Sequence, residues 1–113
     1  MSGISTHILD TSLGRPAVGV GVMLEHEAEG AWRELSTQAT DGDGRVKQLL
    51  PAEAVLESGT YRLTFDTQTY FDKRSVQGLY PVVQITFSIS DAAGHYHIPL
   101  LLTANGYSTY RGS

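Results

Sequence analysis

Two histidines, His95 and His97, stand two residues apart in the C-terminal third of the chain. Side chains at positions i and i+2 of a strand project from the same face, so both imidazoles can meet one substrate or one metal ion. Such a pair suits proton transfer near neutral pH or metal ligation. With His7, three imidazoles can form an open zinc site that activates water. The alternative is a pair of exposed strand histidines that bind nothing.

A second candidate is Arg45, which follows the stretch Asp41-Gly42-Asp43-Gly44. In one interpretation its guanidinium is solvated or paired with a neighbouring aspartate. In the other it is a fixed cation for a planar anionic substrate. The acidic stretch lacks the spaced ligands and the closing glutamate of an EF-hand, so we expect no calcium site.

The C-terminal residues form a third candidate. Tyr107, Thr109 and Arg111 alternate and are expected on one strand face, and the sequence ends with Gly112-Ser113. If this end is docked, Ser113 brings a hydroxyl and an α-carboxylate, and Arg111 brings a cation. Chain ends are usually frayed, so a docked end would indicate a function.

The elements that position these residues are predicted to be strands. Apolar residues alternate with polar or small ones over residues 18–24, 61–66 and 83–89, which is typical of half-buried strands. Less regular strands are predicted over 4–10, 32–39, 45–49, 94–102 and 107–111, giving about eight in all, with an interruption expected at Pro99. Glycine, proline, asparagine and aspartate clusters separate them, which favours an all-β sandwich or barrel. Short helices are predicted over 51–57 and over 69–77, the second capped by Thr69.

Composition limits the class of protein. The chain has 113 residues, which predicts a single domain over 1–113, and its net charge of −4 argues against nucleic-acid or anionic-membrane partners. It contains no cysteine, which excludes disulfides, thiolate zinc sites and cysteine nucleophiles. No basic segment followed by a long apolar one stands near Met1, so we expect a cytoplasmic protein.

Three motifs together resemble the transthyretin-related family and, within it, the 5-hydroxyisourate hydrolases. The resemblance covers nearly the whole chain, and its most specific part is the C-terminal Tyr-Arg-Gly-Ser. One departure is Thr103-Ala104, where family members often have Ser-Pro. The motifs are Thr6-His7-Ile8-Leu9-Asp10 with Gly14-Arg15-Pro16-Ala17, Thr40-Asp41-Gly42-Asp43-Gly44-Arg45, and His95-Tyr96-His97-Ile98-Pro99-Leu100-Leu101 with Tyr110-Arg111-Gly112-Ser113.

The resemblance implies a transthyretin-like two-sheet β-sandwich of eight strands with one short helix. It also implies a homotetramer with sites in clefts between dimers, and hydrolysis of 5-hydroxyisourate in urate degradation without metal or organic cofactor. The implied catalytic set is His7, Arg45, His97 and Ser113, and the implied substrate-binding residues are Tyr110 and Arg111, contributed in part by a neighbouring subunit. His95 is left outside the catalytic set, because the resemblance singles out the histidine before Ile-Pro.

Other functions stay open at this point. A transthyretin-like carrier would bind a small apolar or aromatic ligand in a central channel without catalysis. The stretch 14–63 also resembles prealbumin-like structural modules, which usually belong to longer chains. The zinc-hydrolase hypothesis is the third alternative.

Overall fold

Strands dominate the computed structural model, which describes residues 3–113. Within that range it contains one helix and ten strands, in the order β1 (Gly3–Asp10), β2 (Arg15–Pro16), β3 (Gly21–Ala28), β4 (Ala31–Ala39), β5 (Arg45–Val46), β6 (Gly59–Phe65), α1 (Thr67–Lys73), β7 (Val83–Ile89), β8 (His95–His97), β9 (Leu100–Thr103) and β10 (Gly106–Thr109). The helix has seven residues, and no helix of the described range is long and apolar enough to cross a membrane.

The strands form two sheets. The four-stranded sheet has the order β4-β3-β6-β7 and is antiparallel throughout. Glu29 and Gly30, at φ 55° and 77°, connect β3 to β4 in a two-residue turn that matches the twist of a hairpin. The other sheet contains six strands in the order β10-β9-β1-β2, with β5 and β8 also paired to β1.

The hydrophobic core lies between the two sheets. Each sheet turns one face inward, because apolar residues occupy alternate positions of its strands. Both sheets contribute fully buried side chains, among them Ile4, Ile8, Leu100 and Leu102 from one sheet and Val22, Leu24, Leu63 and Phe65 from the other. These features confirm the predicted transthyretin-like sandwich class.

A buried carboxylate ties the helix to the six-stranded sheet. Asp10, at the end of β1, accepts hydrogen bonds from the Tyr70 hydroxyl at 2.7 Å and from Nη1 of Arg74 at 2.8 Å. It also accepts from the backbone N–H groups of Ser12 and Leu13. A fully buried charge is costly without partners, so Asp10 requires these hydrogen bonds. Together they hold the chain in place where it leaves β1.

Strand boundaries differ from the sequence prediction in several places. The strands predicted over 45–49 and 107–111 span only Arg45–Val46 and Gly106–Thr109. Val18 lies in a loop and is exposed, because the strand predicted over 18–24 begins at Gly21. The strand predicted over 94–102 is divided into β8 and β9, with the interruption that Pro99 implied. Arg15 and Pro16, expected only in a turn, pair with β1 as a short strand, so the count is ten and not about eight.

The helix predictions need larger corrections. The structure has no helix over 51–57, which is an irregular loop with one turn. The second helix begins at Thr67 and not at Thr69. Its N-cap is Asp66, whose carboxylate accepts from the Thr69 N–H at 3.2 Å, so Thr69 lies in the first turn.

Candidate active site

A cavity of about 240 Å³ opens on the six-stranded sheet, on the side away from the core. It is the cavity at which histidine, arginine and serine side chains converge, and its lining residues are Ser5, Thr6, Arg45, Lys47, His95, His97 and Ser113. A larger cavity of about 390 Å³ lies beside α1 and is lined by residues that include Leu13, Val18 and Tyr70, but it offers no histidine or serine. Acid–base chemistry is therefore concentrated in the smaller cavity.

Strand β1 organises this cavity. Ile4 and Ile8 face the core, so Ser5 and His7 face the opposite side. Along one edge β1 pairs with β5, which sets His7 opposite Arg45. Along the other edge it pairs in parallel with β8, which sets Ser5 opposite His97. Residues that are distant in sequence thus become cross-strand neighbours, roughly 5 Å apart.

The turn before β5 fixes the backbone of Arg45. Oδ1 of Asp41 accepts the N–H groups of Asp43 and Arg45 at 2.9 and 3.0 Å. These two hydrogen bonds lower the pKa of the Asp41 carboxyl. Gly44 adopts φ +74°, and a Cβ there would lie only 2.6 Å from the Ile8 carbonyl oxygen, so this position of the turn requires glycine.

The Arg45 side chain is thereby presented to the cavity. Its guanidinium makes no ion pair with any residue of 3–113, because Asp41 is engaged by the backbone. A planar guanidinium without an internal carboxylate partner can bind an anion through two parallel hydrogen bonds.

His97 is a half-buried histidine of the cavity. Burial lowers the pKa of its imidazole, and the positive charges of Arg45, His7 and His95 lower it further. The neutral ring, which can accept a proton, is favoured near neutral pH. Its Nδ1 lies 2.8 Å from Oγ of Ser5.

The C-terminal end is docked against this histidine. The Gly112 N–H donates to the His97 carbonyl at 2.8 Å, and the two residues form an isolated β-bridge. A Cβ at position 112 would overlap the ring carbon Cδ2 of His97, so only glycine allows this approach. Thr109 Oγ1 donates to the Pro99 carbonyl at 2.7 Å, which holds the start of the tail. Ser113 reaches the cavity as a result.

The other two tail residues of the expected site, Tyr110 and Arg111, lie outside the cavity of their own chain. Tyr110 is 56% exposed, and Cζ of Arg111 stacks 4.4 Å from the centre of the Tyr96 ring. Neither is among the residues that line the cavity. Thus Arg45, His97 and Ser113 line it, His7 flanks it through its pairing with Arg45, and Tyr110 and Arg111 stay outside within the described chain.

Four lining residues were absent from the predicted set: Ser5, Lys47, His95 and Thr6. The signal for the first two is simple alternation, because Ser5 stands two residues before His7 and Lys47 two residues after Arg45. His95 was a candidate from its spacing, but the resemblance left it outside the predicted catalytic set.

The zinc hypothesis required His7, His95 and His97 to converge on one point. Among residues 3–113, no group of three histidine, aspartate or glutamate side chains is placed to hold a metal ion. The rings of His95 and His97 are instead joined through the hydroxyl of Ser5.

Comparisons with known proteins identify the family of this chain. A 5-hydroxyisourate hydrolase of Salmonella dublin is 46% identical over 110 residues, which are 97% of this chain and 80% of the relative. The solved structure of Klebsiella pneumoniae 5-hydroxyisourate hydrolase is 41% identical, with a TM-score of 0.86 over 99% of this chain and 100% of that one. Sea bream transthyretin in complex with thyroxine is 28% identical, with a TM-score of 0.89 over 96% and 93% of the two chains. The profile of the HIUase/Transthyretin family matches residues 4–112, and the chain belongs to that family.

Proposed function

We propose that this chain hydrolyses 5-hydroxyisourate to 2-oxo-4-hydroxy-4-carboxy-5-ureidoimidazoline, a step of urate degradation. The observation that carries the proposal is the shared cavity of His97, Arg45 and Ser113: a base kept neutral beside a guanidinium without an ion pair. The hydrolase relatives, one of them 46% identical, support the same reaction.

The reaction opens a cyclic amide. His97 takes a proton from water as the oxygen attacks the ring carbonyl, which becomes a tetrahedral oxyanion. The C–N bond then breaks and the departing nitrogen takes that proton from His97. A lowered pKa of His97 suits both steps, because the ring is neutral before the attack and gives its proton up readily afterwards.

The remaining residues have complementary roles in this proposal. Arg45 binds the anionic substrate and stabilises the oxyanion. His7, opposite Arg45 on β1, orients the attacking water. Ser113 donates a hydrogen bond to substrate or water, and Tyr110 and Arg111 complete the site from a neighbouring subunit.

A carrier without catalysis is less well supported. The similarity to transthyretin is 28% in identity, against 41% for a solved hydrolase with nearly the same fold. A carrier also has no need for a neutral histidine beside an unpaired arginine.

We also propose assembly into a homotetramer with sites between dimers. Large apolar side chains remain exposed near the edge strands β7 and β10, among them Leu79, Val82, Tyr107 and Tyr110. Contiguous exposed apolar surface is typical of interfaces between subunits. Light scattering should give the mass of four chains, and a monomer with full activity would contradict shared sites.

The test of the activity is an ultraviolet assay in which urate oxidase generates 5-hydroxyisourate. Addition of this protein should accelerate the decay of the intermediate above its spontaneous rate. A variant lacking residues 111–113 should leave only the spontaneous rate, because it loses the docked tail. No acceleration by the folded tetramer would overturn the proposed function.

A further inference from the structure

Ser5 lies between two imidazole rings. Its Oγ is 2.9 Å from Nε2 of His95 and 2.8 Å from Nδ1 of His97, both within hydrogen-bond distance. The serine is only 7% exposed, and its place is set by the parallel pairing of β1 with β8. Three side chains thus form one hydrogen-bonded chain that runs from the edge of the cavity to His97.

The chemistry of a hydroxyl couples the two rings. A serine hydroxyl carries one proton, so between two neutral imidazoles it donates to one ring nitrogen and accepts from the N–H of the other. If Nδ1 of His97 donates to Ser5, Ser5 donates to Nε2 of His95. His97 then has an unprotonated Nε2. If Ser5 instead donates to Nδ1 of His97, the proton of that ring lies on Nε2, and Nε2 cannot act as a base.

Nε2 of His97 is the ring nitrogen that remains for the reaction. Ser5 occupies Nδ1, the backbone of Gly112 covers the Cδ2 edge, and no hydrogen bond among residues 3–113 engages Nε2. Nε2 can therefore act as a base only when Nδ1 of His97 donates its hydrogen bond to Ser5.

We infer that Ser5 is a positioning residue that holds His97 with its proton on Nδ1, and that Ser5 and His95 form a relay for that proton. This inference rests on the proposed function. When Nε2 of His97 takes a proton from water, the Nδ1 proton passes to Oγ of Ser5, and the hydroxyl proton of Ser5 passes to Nε2 of His95. When His97 releases its Nε2 proton to the departing nitrogen, both transfers reverse and all three residues return to their starting forms.

The surroundings favour His95 as the holder of the positive charge. Arg45, His7 and Lys47 lie close to His97, which is half-buried, so a cation on that ring is poorly hydrated and is repelled. His95 is exposed at the far end of the chain of hydrogen bonds, where water can solvate an imidazolium. The relay moves the charge away from the guanidinium during the attack.

The test compares Ser5→Ala with Ser5→Thr, which keeps the hydroxyl, and with His95→Gln. Partners that orient a metal-bound histidine typically matter by roughly ten- to a hundredfold, and the carboxylate that orients the histidine of a serine protease matters by roughly ten-thousandfold. We therefore expect Ser5→Ala and His95→Gln to lower kcat by at least about tenfold with little change in KM, while Ser5→Thr stays within about threefold of wild type. Circular dichroism confirms that each variant is folded.

Nitrogen NMR of the histidine rings tests the tautomer without any substrate. The wild-type His97 should carry its proton on Nδ1, and Ser5→Ala should shift the proton to Nε2. A wild-type His97 already protonated on Nε2, or wild-type kcat in Ser5→Ala, would overturn the inference. Failure of the wild type to hydrolyse 5-hydroxyisourate would instead overturn the proposed function, since the NMR result does not depend on it.

Discussion

The two sheets of the molecule differ in regularity. The four-stranded sheet is made of strands of seven to nine residues whose register is broken by one irregularity, between Leu24 and Glu25. In the six-stranded sheet, β1 is flanked by pieces of two to four residues, and β8 and β9 are separated at Pro99. One sheet follows its alternating sequence closely, while the other is assembled from short pieces.

The irregular sheet is the one that carries the candidate site. Short strands allow β5 and β8 to pair with β1, and the C-terminal tail bridges to β8, so that Arg45, His97 and Ser113 lie around Ser5 and His7. A long regular hairpin brings together only residues that are near in sequence. The comparison indicates that the four-stranded sheet serves stability and the six-stranded sheet serves chemistry.

Truncation of the regular sheet should give the largest effect, and it should be on stability. Leu24 is fully buried in β3, so Leu24→Ala should lower the free energy of unfolding by about 2–5 kcal/mol. Urea denaturation measures this change. Because Leu24 does not line the cavity, kcat of the folded variant should stay near the wild-type value. A large loss of kcat without loss of stability would contradict the division between the sheets.

A histidine substitution in each sheet sharpens the comparison. His7→Asn should lower kcat by at least about a hundredfold, the low end of general acid–base effects, because it removes the group that orients water. The matched control is His26→Asn in β3, where the ring stacks on Tyr61 at 4.3 Å and lies outside the cavity. Steady-state assays of both variants should show a loss only for His7→Asn. Equal activities would remove His7 from the mechanism.

The docked tail offers a smaller, more local perturbation. In Gly112→Ala the added methyl group overlaps the His97 ring, so the ring or the tail must move. Displacements of about 1 Å at a reacting group cost up to about a hundredfold, and we expect a loss of about tenfold in kcat. Thermal unfolding should change little. Gly106→Ala, at the start of β10, is the control, since the nearest neighbour of the added Cβ would be 3.7 Å away. Full activity in Gly112→Ala would show that the tail does not support the site.

The smallest expected effect is on a titration. The pKa of His97 lies below the ordinary histidine value of 6.5. A base works when it is neutral, above its pKa, so the acid limb of kcat/KM should lie below pH 6.5. Arg45→Gln removes a positive charge and should raise the pKa of His97, which moves this limb to higher pH. NMR titration of the His97 ring measures the shift, and a fall or no change in the mutant would contradict the electrostatic account.

Alternation predicted the regular sheet well, because burial of one face sets its pattern; Tyr61, Leu63 and Phe65 are all buried as their spacing indicates. Alternation failed at Val18, which lies in a loop, and the short helix predicted over 51–57 is a loop as well. The site residues came from resemblance, since sequence spacing alone does not show that His7, Arg45 and His97 meet. That convergence depends on cross-strand register, which the pairing of β1 with β5 and β8 decides.

The most direct test is the decay of 5-hydroxyisourate followed by ultraviolet absorbance with wild type, His97→Asn and His26→Asn side by side. The account predicts rapid decay with wild type and with His26→Asn, and a rate at least about a hundredfold slower with His97→Asn. Near-normal turnover by folded His97→Asn would contradict the central claim that the six-stranded sheet carries a histidine-based hydrolase site.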